Sequence, residues 1–69
     1  MTSIIKTEKI EKGSYKITTG SSHVYEVFNE YRSGMGNAWV VYRVDGQQID
    51  NPAALTSLAG AKYWIEGQG

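Results

Sequence analysis

The stretch Ala38-Trp39-Val40-Val41-Tyr42-Arg43-Val44-Asp45-Gly46 decides the fold. β-Branched and aromatic side chains dominate it, the composition that suits a packed, pleated strand. It closes on Asp-Gly, a pair that tolerates the positive φ angles of a two-residue hairpin turn. Gln47-Gln48-Ile49 is then expected to return as a short fifth strand. Val40, Tyr42 and Val44 alternate with Trp39 and Val41, so both faces of the strand are apolar. That pattern belongs to a strand in the middle of its sheet, or one buried on both sides.

Towards the N-terminus, Arg32-Ser33-Gly34-Met35-Gly36-Asn37 reads as a flexible loop joining two antiparallel strands. The strand before it runs from His23 to Tyr31. Tyr25 and Val27 share one face with Tyr31 in line, and Val24 and Phe28 share the other with Glu26 and Glu30. Gly20-Ser21-Ser22 is a break, and Tyr15-Lys16-Ile17-Thr18-Thr19 alternates with Tyr15, Ile17 and Thr19 on one side. Lys12-Gly13-Ser14 turns the chain back onto residues 3–11. Lys6, Glu8, Lys9, Glu11 and Lys12 mark that segment as an outer strand whose charge discourages edge-to-edge pairing.

Beyond the Asp-Gly turn, Asp50-Asn51-Pro52 resembles a helix start, with Asn51 as cap and proline at the first helical position. Ala54, Leu58, Ala61 and Ile65 then form one stripe at helical spacing, flanked by Trp64, up to Glu66. Gly60 weakens such a helix by about 1 kcal/mol relative to alanine. An alternative is a shorter helix capped by Thr56 or Ser57, after an irregular turn at Pro52–Leu55. Gly67 is a C-terminal cap in either case. The expected fold is α+β: an antiparallel meander of four to five strands with one C-terminal helix packed on one face, in a single domain over residues 1–69.

One helix of roughly 20 Å covers one sheet face and leaves the other. Since both faces carry large apolar residues, either the sheet curls over itself or the open face meets another chain. Val40, Tyr42 and Val44 are expected to meet Leu58, Ala61 and Ile65, which leaves Trp39 and Arg43 together on the open side.

The 69 residues include no cysteine, so no disulfide or thiolate zinc site supports the small core. Eight aromatic residues carry much of the packing instead. Seven basic residues balance seven acidic ones. That neutrality disfavours a binder of the phosphate backbone, which needs a positive excess, and equally an acidic mimic of DNA. No segment reaches bilayer length and the first residues lack a signal peptide's apolar run, so the expected location is the cytoplasm.

No constellation points to catalysis, and the expectation is a non-enzyme without cofactor or metal. His23 is the single histidine and has no orienting acid in sequence. Glu26 and Glu30 share a strand face but lie about 13 Å apart by strand rise, too far to share a proton. Gly34-Met35-Gly36 leads into a strand, whereas a phosphate cradle needs a helix N-terminus there. Partner binding is expected from Trp39, Arg43, Tyr31, Arg32 and Met35, residue types that anchor interfaces or sit at the loop tip.

Trp39-Val40-Val41-Tyr42-Arg43-Val44-Asp45-Gly46 followed by Leu58-Ala59-Gly60-Ala61-Lys62-Tyr63-Trp64-Ile65-Glu66 resembles a pattern in small accessory proteins of bacteriophages and mobile elements, anti-CRISPR inhibitors among them. That resemblance implies a protein partner from the host or its defences, met in the host cell's cytoplasm. The same half is similar to AP2-like DNA-binding domains and integrase arm-binding domains. There, Arg32, Arg43 and Lys16 on the open sheet would contact DNA, but this chain lacks their run of basic residues. A homodimer with paired sheets is the third expectation.

Overall fold

The computed structural model describes residues 3–68. Five strands, β1 (Ile4–Glu11), β2 (Ser14–Thr19), β3 (Val24–Arg32), β4 (Gly36–Val44) and β5 (Gln47–Leu55), precede one helix, α1 (Leu58–Glu66). The strands form one antiparallel meander in the order β1-β2-β3-β4-β5. The α+β fold read from the sequence is the fold observed.

The turn closing β4 adopts φ +53° at Asp45 and +81° at Gly46, the left-handed pair that an Asp-Gly hairpin turn requires. On the helix side, Ile17, Tyr25, Val27, Val41, Ala61 and Ile65 form the buried cluster. Ile4, Trp39, Val44, Ile49, Leu55, Leu58 and Trp64 pack against it. Tyr15 and Trp39 meet edge to face at 5.6 Å between ring centroids.

Three expectations need correction. First, Trp39 and Val41, with Val44, face the helix; Val40 and Tyr42 do not. Val40 and Tyr42 alternate away from Trp39 and Val41, and a bulge in β4 brings Val44 to the side of Val41. Val27 pairs with Val41 and Glu26 with Arg43, so Tyr42 is an extra residue. Val41 and Val44 both point to the helix side, and Tyr42 and Arg43 both point away. Strict alternation cannot survive that insertion.

Second, the helix does not start at Asn51-Pro52. Ala53, Ala54 and Leu55 pair with Val41, Val40 and Trp39, and this sheet pairing overrides their helical leaning. Ile49–Pro52 bulge from β5 opposite Tyr42, where a proline without an N–H is tolerated. The helix instead begins after Ser57, whose Oγ accepts from the Gly60 N–H at 3.0 Å. Third, β5 is therefore longer than a return over 47–49.

Candidate functional site

Residues on the uncovered face fall into cross-strand rows. One row runs Glu8, Lys16, Glu26, Arg43, Gln48 across all five strands, alternating in sign until it ends on the glutamine. Such opposed pairs are the charged form of cross-strand stabilisation. Within it, Arg43 Nη1 lies 3.6 Å from Glu26 Oε1. The next row places Ser14, Phe28, Val40 and Ala54 side by side. Val40 and Ala38 are fully buried although no helix covers them, so this face has a small core of its own.

The rings of Phe28 and Tyr42 meet edge to face at 5.7 Å above that row. The bulge adds Arg43 to this side, next to Tyr42. Phe28, Tyr42, Arg43 and Gln48 line an open cavity of about 350 Å³, two aromatic rings with a guanidinium and an amide.

The Tyr42 hydroxyl donates to Glu30 Oε1, and Arg32 Nη2 donates to the same oxygen at 3.1 Å. These contacts, the hydroxyl first, hold the Glu30 carboxyl below its ordinary range. The hydroxyl, bonded to that carboxylate, is pushed up. The network braces a two-stranded ribbon: past Ser14 and Leu55, β3 and β4 pair only with each other, through Glu30–Ala38, Tyr31–Asn37 and Arg32–Gly36.

Of the five residues singled out for partner binding, Arg32 and Arg43 lie on the open face. Tyr31 and Met35 are exposed on the ribbon, Tyr31 in register with the helix side and Met35 at the turn. Trp39 lies apart from Arg43, half-buried on the helix side against Tyr15. Phe28, Tyr42 and Gln48 were missed as a group. The bulge that assembles them becomes visible only in the pairing of β4 with β3.

His23 has an orienting acid after all. Its Nδ1 lies 2.6 Å from Asp45 Oδ2, and Asp45 Oδ1 accepts from the Val24 N–H at 2.9 Å. These contacts, the Val24 N–H first, depress the Asp45 carboxyl. They tie the β2–β3 connection to the β4–β5 turn. The Ser21 hydroxyl lies 3.1 Å from that of Thr19. Among the described residues, no group of three or more histidine, cysteine, aspartate or glutamate side chains is placed to hold a metal. No helix among them is long and apolar enough to cross a membrane.

Compared with family models, curated proteins and solved structures, the chain matches none.

Proposed function

We propose that this chain is a small, non-enzymatic protein-binding module that engages its partner through the open sheet face. The observation that carries the proposal is the β4 bulge, which sets Tyr42 and Arg43 on one side next to Phe28 and Gln48 around one cavity. Aromatic and arginine side chains around a concave centre are where binding energy concentrates at protein interfaces. The resemblance of residues 39–46 and 58–66 to phage accessory proteins supports a host or defence protein as the partner, and inhibition as the role.

The DNA reading is disfavoured by the same geometry. Lys16 and Arg43 both stand beside Glu26, and Arg32 is bonded to Glu30, so each cation already faces a carboxylate. Immobilised protein should retain one partner from a host lysate. Tyr42→Ala and Arg43→Ser should each release it, while Lys62→Gln on the helix should not. A partner held equally by all four proteins, or none held at all, would overturn the proposal. Retardation of duplex DNA at low salt would favour the DNA reading.

A further inference from the structure

The alternating charge row ends at the free edge of β1, on the carboxylate of Glu8. β1 is an unusual strand, because seven of its eight residues are exposed and only Ile4 is partly buried. Ile5 and Ile10 are 67% and 49% exposed. Ordering a strand costs roughly 1–2 kcal/mol per residue in backbone entropy, and β1 recovers little of that by burial within one chain. The opposite edge, β5, is bulged at Ile49–Pro52 and carries a proline. β1 is thus the edge where a further strand can add.

Its register with β2 is unbroken from Lys6 to Lys9 and interrupted on either side, with Ile5 and Ile10 as the extra residues. Two copies pairing antiparallel about a two-fold axis must place some residue opposite itself. Centring on Lys6, Glu8 or Lys9 sets that charge against its own copy. Centring on Thr7 instead sets Lys6 of each chain against Glu8 of the other, twice. Among these centres, Thr7 alone opposes unlike charges. The Lys6–Glu8 pair within one chain, at 3.4 Å between exposed groups, is weak and free to exchange for the partner's.

We infer that two copies of this chain associate through antiparallel β1–β1 pairing centred on Thr7, joining two five-stranded sheets into one. Within the unbroken Lys6–Lys9 segment, the charges that blunt the other centres select this one, because specificity needs wrong registers to be penalised. The bulges confine the contact to a short central segment, so the association is weak.

The test uses sedimentation velocity at about 0.1 M salt, where the Debye length is near 10 Å. Protein concentration runs from about 10 µM to about 1 mM, the range over which weak association is read. The wild-type sedimentation coefficient should rise towards the dimer value. Glu8→Lys and Lys6→Glu each turn both cross-strand pairs into like charges and should weaken self-association about tenfold. Mixing the two variants in equal amounts recreates both unlike pairs, so association should return in the mixture. Far-UV circular dichroism confirms that each variant is folded. Lys62→Glu and Glu66→Lys keep the β1 edge, so each should self-associate as the wild type does, and mixing them, which controls for general attraction between oppositely charged proteins, should add nothing further. A wild type monomeric throughout, a mixture of the β1 variants no more associated than its components, or a control mixture that gains as much over its components as the β1 mixture does overturns the proposal.

Discussion

The face that the helix covers can be tested through Ile65, the large side chain of α1 that is fully buried. Ile65→Val removes one methyl from the cluster that includes Ile17, Val27 and Val41, at a cost of about 0.5–1.5 kcal/mol. Ile65→Ala costs about 2–5 kcal/mol. A chain of 69 residues has a total stability of roughly 3–10 kcal/mol, so Ile65→Ala consumes a large part of it. Urea unfolding followed by tryptophan fluorescence reads these losses, because Trp39 and Trp64 both pack against the cluster. The sharper measurement is coupling. Val40 and Val41 are adjacent and both fully buried, but only Val41 belongs to the helix-side cluster. Ile65→Val combined with Val41→Ala should depart from additivity by about 0.5 kcal/mol or more. Combined with Val40→Ala, it should add within about 0.3–0.5 kcal/mol. Equal coupling to both valines, or stronger coupling to Val40, would refute the assignment of faces.

Ser57→Ala removes the oxygen that accepts from the Gly60 N–H and should lower stability by about 0.5–2 kcal/mol in the same urea assay, whereas Asn51→Ala, outside the helix, should not weaken a cap. Asp45 and Glu30 are both depressed in the folded protein, so their contribution is present above the ordinary carboxylate range and is lost as pH falls through their lower folded values. The urea midpoint should therefore drop as the pH falls below the ordinary carboxylate range, and Asp45→Asn should flatten that drop while keeping an oxygen for the Val24 N–H. An Asp45→Asn protein with an unchanged acid profile would count against the His23–Asp45–Val24 tie.

Local patterns carried most of the fold. The hairpin turn at Asp45-Gly46, the face shared by Tyr15, Ile17 and Thr19, and the charged outer strand follow from turn chemistry and period-two alternation, and all three stand in the structure. What escaped reading depends on pairing between distant segments. Val40, Tyr42 and Val44 look like one face until β3 shows that Tyr42 is inserted. Ala53–Leu55 have helix-forming composition, yet β4 offers them hydrogen bonds that a frayed first turn does not. His23 and Asp45 are 22 positions apart and meet only because the β2–β3 and β4–β5 connections lie at the same end of the sheet. The exposure of Arg43, Tyr31 and Met35 was legible from residue type; the place of Arg43 beside Tyr42 and Phe28 was not, because it rests on the bulge.

That bulge also resolves the apparent excess of apolar surface. With Val44 restored to the helix side, the open side keeps Val40 and Ala38 as buried aliphatic groups, beneath two rings and a row of alternating charges. A partner approaching this face meets aromatic edges and paired ions, not a bare aliphatic sheet. Glu8, Lys16, Glu26 and Arg43 sum to zero charge, so the face projects little net field and diffusional encounter is not steered. Association with a partner should then proceed at about 10⁵–10⁶ M⁻¹s⁻¹ and change little with ionic strength, while Tyr42→Ala acts on the dissociation rate. Surface plasmon resonance over a salt series separates the two rates. A steep fall in the association rate with added salt would show that the charges act singly, and would return Arg43 and Lys16 to the role of an electrostatic footprint.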